Sequence, residues 1–338
     1  MKQTYWLLIF LWSASFSVIS PADSSSQQEW SKLPFDVDYG ITLKNLPEHW
    51  HNFHRATHYP FPSTDFIKKL LVKNSSLKAS IPNFISANDT SEKLKQAWLN
   101  FFNGKFQMAA SQGYALGPIG HGVAFYSQVT YASRLESSLE RRHELWEDVL
   151  SRHEQFSHLT GYDAMTRFFA FFAMARLSEE ISSPQVVFRG LVSDMQKDLA
   201  ELSALEPDNV FALAARASMD AGIVRKLGAS IGRITYGADS SVVKEFYAKA
   251  LAKNKRIPNV HLEYAQSLLY VDGKQALPEA LKHMEIASNV IPKYAMEELD
   301  VRHAKKLLND LIDIHSKGGY GLKDYVRRNT DKQKKYYF

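Results

Sequence analysis

Residues 48–58 read EHWHNFHRATH and hold four of the twelve histidines of the chain. If this stretch is helical, His51, His54 and His58 fall at i, i+3 and i+7, which is about one face of the helix. Neutral imidazoles at that spacing can bind zinc, copper or nickel when a carboxylate lies nearby. One hypothesis is therefore a metal site centred on residues 49–58. The favoured alternative is structural: the aromatic neighbours indicate a helical piece of an N-terminal cap.

A second pattern, GASIG at residues 228–232, matches the G-x-S-x-G motif of serine hydrolases. The nucleophile elbow of those enzymes requires a strand before Ser230 and a helix after it. Here an amphipathic helical pattern precedes the motif, and Gly228 is typical of a helix C-terminus. Asp300 and His303 could complete a serine, aspartate and histidine order, but such an order arises easily by chance. We favour a turn or a close helix contact and predict that the chain is not an enzyme.

Residues 113–122, GYALGPIGHG, are rich in glycine. They lack the G-x-G-x-x-G spacing, the preceding strand and the Walker lysine of phosphate-binding loops. We predict instead a corner between two helices, where small residues permit tight contact. Acidic residues elsewhere alternate with Arg and Lys on helical faces, so no isolated carboxylate pair suits general acid–base chemistry. The sequence predicts neither a catalytic residue nor a cofactor.

The composition and the N-terminus bear on location. The chain has 338 residues, of which 45% are hydrophobic and none is cysteine. It can bury a sizeable core in one or two domains, and it has no disulfides or thiolate metal sites. Residues 1–22 combine Lys2, the apolar run YWLLIFLW and small residues, which predicts a secretory signal peptide cleaved after Ala22. The apolar run is short beside the roughly 20 residues of a membrane-spanning helix, although an uncleaved anchor is the alternative.

We therefore predict a periplasmic or secreted protein that is not transmembrane after signal cleavage. The formal net charge of +5 is modest, and much of it lies in the segment KGGYGLKDYVRRNTDKQKKYYF. A basic segment rich in tyrosine could contact nucleic acid or anionic lipid. For an exported protein we favour a solvated basic tail over residues 316–338 and expect no nucleic-acid partner.

Hydrophobic periodicity predicts an all-α fold from about residue 91 almost to the end. One stripe consists of Val210, Leu213, Ala214 and Ala217, which fall at i, i+3, i+4 and i+7. Three similar stripes follow it along the chain. Turn signals such as EPDN and IPK separate the stripes, and no pattern of period two persists. We predict a linker and an irregular, proline-rich and aromatic-rich cap over residues 23–90. A helical-repeat domain follows over residues 91–315.

The repeat prediction rests on LPEALKHMEIASNVIP, which has the pattern of a tetratricopeptide second helix. Small Ala280 and Ala287 flank Met284 and let paired helices approach, and Pro292 closes the unit. Degenerate versions of the same pattern occur in NGKFQMAASQG, VHLEYAQSLLYVDGK and FYAKALAKNKRIP. The expected architecture is a tetratricopeptide-like helix-pair solenoid.

Several segments carry a family resemblance: LGASIGRITYGADSSVVKEFYAKAL, NVHLEYAQSLLYVDG, AMEELDVRHAKKLL, LPFDVDYG, HWHNFH and AWLNFFNGKFQMA. Across roughly residues 33–310 the chain resembles a group of exported bacterial tetratricopeptide-like proteins of unknown function. More distantly, its C-terminal half is similar to the regulator of microtubule dynamics family and to helical helper proteins of some solute transporters. The resemblance implies a helical-repeat fold and a non-enzymatic role, and it transfers no catalytic residues.

These observations predict a binding or scaffold protein whose concave face engages a protein or peptide partner. The candidate contacts lie on expected first helices of the repeats: Tyr114, Arg216, Asp220, Glu263 and Tyr264. One alternative is a ligand-binding helper of a solute transporter, with a small ligand in a pocket lined by RFFAFFAMARLSEE at residues 167–180. The competing interpretation of that string is a central buried helix. The other alternative is the histidine metal site.

Overall fold

The computed structural model describes residues 29–328, so the predicted signal peptide and the end of the basic tail lie outside the described residues. Within this range the chain is all-α, as predicted, and contains no strand. Two short 3₁₀ helices span Gly117–Gly120 and Gly273–Ala276. The α-helices of the described range are α1 Leu46–Phe53, α2 Thr64–Lys73, α3 Ser75–Ala79, α4 Ala87–Phe102, α5 Phe106–Ala115, α6 His121–Arg134, α7 Leu139–Thr160, α8 Ala164–Glu180, α9 Ser183–Phe188, α10 Leu191–Leu205, α11 Val210–Leu227, α12 Ala229–Tyr236, α13 Ser240–Lys253, α14 Pro258–Val271, α15 Leu277–Ser288, α16 Ala295–Ser316 and α17 Leu322–Arg328.

Side-chain caps set the starts of α8 and α11. Oδ1 of Asp163 accepts hydrogen bonds from the backbone N–H groups of Met165 at 2.9 Å and Thr166 at 3.2 Å. Oδ1 of Asn209 accepts from the N–H of Ala212 at 3.0 Å. A short polar side chain at this position satisfies an N–H that lacks a partner in the first turn of a helix. The caps therefore determine where the helical faces described below begin.

The N-terminal segment packs into the main core of the molecule. Trp50 lies against His54, Trp98 and Phe102, with ring centroids 4.3, 5.6 and 6.0 Å from its own. Its Nε1–H donates to the carbonyl of Tyr59 at 2.7 Å. Aromatic rings at these separations attract one another beyond the area they bury. Residues from the stretch 41–81 accordingly share one apolar core with α4 to α10 and the start of α16.

The C-terminal half is a succession of neighbouring helices. Helix α11 packs on α13 and α14, α14 packs on α15, and α15 packs on α16. Ala280, Met284 and Ala287 are fully buried between these helices. Small side chains at such positions let helix axes approach closely. The residues picked out for the repeat pattern are thus helix contacts.

A glycine contact joins α5 to α6. A Cβ atom added to Gly120 would lie 2.1 Å from the carbonyl oxygen of Gly113, far inside van der Waals contact. The two backbones can meet this closely only because neither residue has a side chain. The predicted tight corner in the glycine-rich segment is confirmed.

None of the helices in residues 29–328 combines the length and the apolar character that a membrane crossing requires.

Candidate functional site

An apolar cleft, called the main cleft below, lies between α8, α9, α10, α11 and α14. It encloses about 930 Å³, part of which is open to solvent. The apolar part of its wall contains four phenylalanine rings, Phe168, Phe171, Phe172 and Phe211. Met195 and Ile223 add two further apolar side chains. Clefts that bind small molecules have this apolar character.

Helix α8 contributes one face to the main cleft and the other to the core. Phe168, Phe171 and Phe172 recur at i, i+3 and i+4 and line the cleft. Phe169 points into the core, where its ring stacks on Tyr126 with centroids 3.9 Å apart. A helix that is apolar on all sides is buried on all sides. The segment 167–180 is therefore both a central buried helix and a cleft wall.

Helix α11 provides the room opposite those rings. Phe211, Ala215, Ser218 and Gly222 follow one another at helical spacing and all line the main cleft. A Cβ atom added to Gly222 would meet nothing within 4 Å. The small side chains on this face leave space that the phenylalanines of α8 do not fill.

Arg176 at the rim of the main cleft is held by two carboxylates. Its Nη1 donates to Glu179 at 2.9 Å and its Nη2 donates to Glu263 at 2.5 Å. The guanidinium also lies over the ring of Phe172, 4.7 Å from the centroid. This cation is engaged from three sides and stabilises the junction of α8 with α14.

Lys226 is engaged in a different way. Its ammonium donates to the backbone carbonyls of Ser178 and of Ile181, the latter at 2.8 Å. It thereby caps the C-terminal end of α8, where carbonyls lack partners within the helix. The guanidinium of Arg225 lies over the ring of Tyr270 at 4.6 Å. The charged groups of the cleft wall are thus used in holding the helices together.

A second cavity of about 530 Å³, called the second cavity below, lies between α6, α8, α14 and α16. Phe168, Phe172, Phe211 and Asn259 line both spaces. The two spaces are therefore neighbours that have part of their walls in common.

Two carboxylates in the wall of the second cavity, Asp300 and Glu297, are each paired with an arginine. Arg134 donates to Oδ1 of Asp300 from Nε at 3.1 Å and from Nη2 at 2.8 Å, and Asn259 donates to the same oxygen at 3.3 Å. Arg55, which lies outside this wall, donates to Glu297 from Nη2. Burial raises the pKa of Asp300 and of Glu297, and the arginines oppose that change. The charges in this wall cancel in pairs.

Of the three predicted metal-binding histidines, the structure brings two near each other: the ring centroids of His51 and His58 lie 6.2 Å apart, whereas His54 is buried in the aromatic core. Helix α1 ends at Phe53, so His51, His54 and His58 do not share one helical face. His51 and His58 are exposed, whereas His54 is buried against aromatic rings, and burial lowers its pKa to about 3. Across residues 29–328 no group of three His, Asp or Glu side chains is placed to hold a metal ion.

The predicted partner contacts are dispersed, and several are internal. The hydroxyl of Tyr114 donates to Gln128 at 2.8 Å, and the guanidinium of Arg152 covers its ring at 4.1 Å. Arg216 donates to Asp220 at 3.0 Å, and the side chain of Asp220 is completely buried. These three predicted contacts serve packing and internal pairing.

The other two predicted contacts lie on α14. The ring of Tyr264 is buried and stacks on Tyr247 with centroids 4.4 Å apart. Of the five predicted contact residues, Glu263 alone lines the main cleft.

Sequence patterns missed the α11 side of the main cleft. The apolar stripe at Val210 and Ala217 marks the helix face packed on α13 and α14, and Ala214 of the same stripe also borders the main cleft. The cleft face lies beside it and combines Phe211 with the small residues Ala215, Ser218 and Gly222. These small residues are the one sequence feature that could have indicated a cleft. Only the position of α8 opposite them shows that they border an unfilled space.

The GASIG segment is a junction between two helices. Helix α11 ends at Leu227, Gly228 has a positive φ of 88°, and α12 begins at Ala229. Ser230 is exposed on α12, with a helix and not a strand before it. Asp300 is committed to Arg134. The favoured interpretation as a turn is confirmed, and the geometry of a nucleophile elbow is missing here.

Comparisons with protein-family models, with curated proteins and with solved structures return no match. The fold places the chain in the all-α class, and the chemistry of the main cleft follows from its own side chains. These offer apolar surface, paired charges and a few hydroxyl and amide groups.

Proposed function

We propose that this chain is a non-enzymatic binding protein that takes up an apolar small ligand in the main cleft. The observation that carries the proposal is the wall itself: phenylalanines of α8 and α11 face a space of about 930 Å³. Removing apolar ligand surface from water contributes about 25 cal/mol per Å². Because the charged side chains of the wall are already paired, the cleft favours apolar over ionic contacts.

The proposal corresponds to the ligand-binding helper of a solute transporter, with RFFAFFAMARLSEE as a pocket wall. The packing of α11, α13, α14, α15 and α16 on successive neighbours supports a helix-pair solenoid as its frame. Export with cleavage after Ala22 belongs to the same proposal. It is checked by the N-terminus of the mature protein, which is then Asp23.

A second candidate is the scaffold for a protein or peptide partner. It is favoured by exposed apolar side chains on two short helices, Val187 and Phe188 on α9 and Ile231 and Ile234 on α12. Lys226 donates to the carbonyl of Ile181, and this contact ties the starts of the two helices together. Helix α9 begins two residues after Ile181, and α12 begins three residues after Lys226. A partner could cover such a patch.

One experiment separates the two candidates. Protein comprising residues 23–338 is titrated with N-phenyl-1-naphthylamine, a neutral apolar fluorophore, and is examined by native mass spectrometry for a retained small molecule. Gly222→Leu places a side chain in the main cleft and is expected to weaken fluorophore binding at least about tenfold, a loss of about 1.4 kcal/mol. Gly222→Ala is the matched control, because it changes the same backbone position but leaves most of the space.

Failure of the wild-type protein to bind the fluorophore, or equal binding by Gly222→Leu, would contradict the proposal. Capture of a crosslinked protein partner that is lost in Phe188→Ser and Ile234→Ser, but kept in Gly222→Leu, would favour the scaffold. The two sets of variants lie on different helices, so the outcomes are independent.

A further inference from the structure

We propose that the ligand is a linear apolar chain with an uncharged, hydrogen-bonding oxygen at one end, and that Thr130 holds this end in the second cavity. The inference rests on the proposed function, since it names the class of molecule that the main cleft would take up. It is carried by a buried hydroxyl and by the balance of charges around it.

Thr130 lines the second cavity on α6 and is only 2% exposed, yet its Oγ1 has no hydrogen-bond partner. Two other hydroxyls of the same helix are satisfied locally. Ser127 donates to the carbonyl of Val123 at 2.7 Å, and Ser133 donates to the carbonyl of Val129 at 2.6 Å. A buried hydroxyl without a partner costs free energy, which a ligand that supplies the missing hydrogen bond would remove.

The charges near Thr130 select against an ionic end group. Asp300 and Glu297 lie in the same wall, and each is paired with an arginine, Arg134 or Arg55. A ligand carboxylate would face two buried carboxylates and no uncommitted cation. A ligand ammonium would face Arg134 and no uncommitted anion, because Glu297 is already paired with Arg55 and Asp300 with Arg134. An uncharged hydroxyl avoids both repulsions and needs no loss of solvation of a full charge.

The shape of the ligand follows from the wall residues that the two spaces share. Phe168, Phe172 and Phe211 belong to the walls of both. An unbranched chain that passes between these rings keeps its body in the main cleft and brings its end to Thr130. A branched or bulky molecule would have to displace the rings themselves, at the cost of core packing.

The test compares three molecules that share one chain and differ at the end: dodecan-1-ol, dodecanoate and dodecylammonium. Each displaces N-phenyl-1-naphthylamine from residues 23–338 at about pH 8, where the acid is ionised and the amine is protonated. Dodecan-1-ol is expected to bind at least about tenfold more tightly than either ion. Thr130→Val is expected to weaken the alcohol about tenfold while leaving the fluorophore affinity unchanged, since the valine keeps the shape of the side chain but loses its hydroxyl.

Ser133→Ala is the matched control. Its hydroxyl is already bound to Val129, so its removal is expected to leave the alcohol affinity unchanged. Dodecanoate binding as tightly as the alcohol, or Thr130→Val binding the alcohol like wild type, overturns the inference while leaving the proposed function intact. Failure of the wild-type protein to bind the fluorophore and all three chains overturns both. A melting curve for each variant verifies that it is folded.

Discussion

Arg134 on α6 donates two hydrogen bonds to a single carboxylate oxygen, Oδ1 of Asp300 on α16, although 166 positions separate the two residues. Both side chains are buried, at 6% and 4% exposure. The pair joins the first half of the chain to its C-terminal helices and forms part of the wall of the second cavity. The geometry of the candidate site therefore depends on a polar contact within an otherwise apolar core.

Breaking this pair from one side should be costly. We expect Arg134→Met to lower the free energy of unfolding by about 3–5 kcal/mol, because it leaves the carboxylate of Asp300 buried without its cation. The double variant Arg134→Met with Asp300→Leu should recover most of the loss, since it removes both charges. Urea denaturation of the four proteins of this cycle measures the coupling.

The control for that cycle is an exposed pair. Lys249 donates to Glu245 at 2.6 Å, and both side chains are about half exposed. Glu245→Gln should change the free energy of unfolding by less than about 0.5 kcal/mol, because solvent screens this pair. An equal loss at the two sites would show that burial does not determine the effect at Arg134.

His54 should make the fold sensitive to acid. Burial lowers its pKa in the folded protein to about 3, whereas an unfolded histidine titrates near 6.5. As the pH falls below about 6.5, His54 binds a proton in the unfolded chain but stays neutral in the folded chain. Stability is therefore complete above this pH and declines by up to about 1.4 kcal/mol per pH unit towards pH 3.

Replacing the imidazole with an apolar ring removes this contribution. His54→Phe should flatten the decline of unfolding free energy between about pH 6.5 and pH 4.5, measured by urea denaturation at each pH. His51→Phe is the control, because His51 is exposed, and it should keep the wild-type slope. His121 is buried with a pKa lowered to about 3, so some slope remains in His54→Phe. Identical slopes in wild type and His54→Phe would refute the assignment.

The helical class could be predicted because periodicity is a local property of the sequence. The same is true of the glycine corner, since close backbone contact leaves a compositional trace in Gly113 and Gly120. The metal hypothesis depended on a helix boundary. The spacing of His51, His54 and His58 is informative only if one helix contains all three. Helix α1 ends at Phe53, and the ring of His54 packs on Trp50.

The candidate site could be predicted only in part, for a related reason. The apolar string of α8 predicted either a central buried helix or a pocket wall. Both descriptions apply, because one face of α8 packs in the core and the other lines the main cleft. On α11 the strongest apolar stripe, at Val210 and Ala217, marks a packed face, while the cleft face at Phe211 and Gly222 is less regular. Which face meets empty space depends on neighbours far away in the sequence.

Thr130 offers a prediction about stability without ligand. Thr130→Val should raise the free energy of unfolding by about 1 kcal/mol, because it replaces an unpaired buried hydroxyl with a methyl group of similar size. Ser133→Ala should instead lower it by about 1 kcal/mol, since that hydroxyl has a partner. Chemical denaturation of both variants measures the difference. A loss of stability in Thr130→Val would mean that its hydroxyl is satisfied in solution.

The last prediction uses two glycines that differ in their surroundings. At Gly120 a methyl group would lie 2.1 Å from the carbonyl oxygen of Gly113, so the backbone of α5 and the 3₁₀ turn before α6 must separate. We expect Gly120→Ala to lose about 3 kcal/mol of unfolding free energy, the upper end of ordinary overpacking. At Gly222 the same methyl group would meet nothing within 4 Å, and it lies inside α11.

Gly222→Ala should therefore gain about 0.5–1 kcal/mol, the difference in helix propensity between the two residues. Opposite signs for one chemical change, measured by urea denaturation under identical conditions, would confirm both the tight contact at the α5–α6 corner and the open space in the main cleft. A loss of stability at Gly222 as large as that at Gly120 would show that the cleft face of α11 is packed in solution. The cleft could not then take up a ligand as proposed.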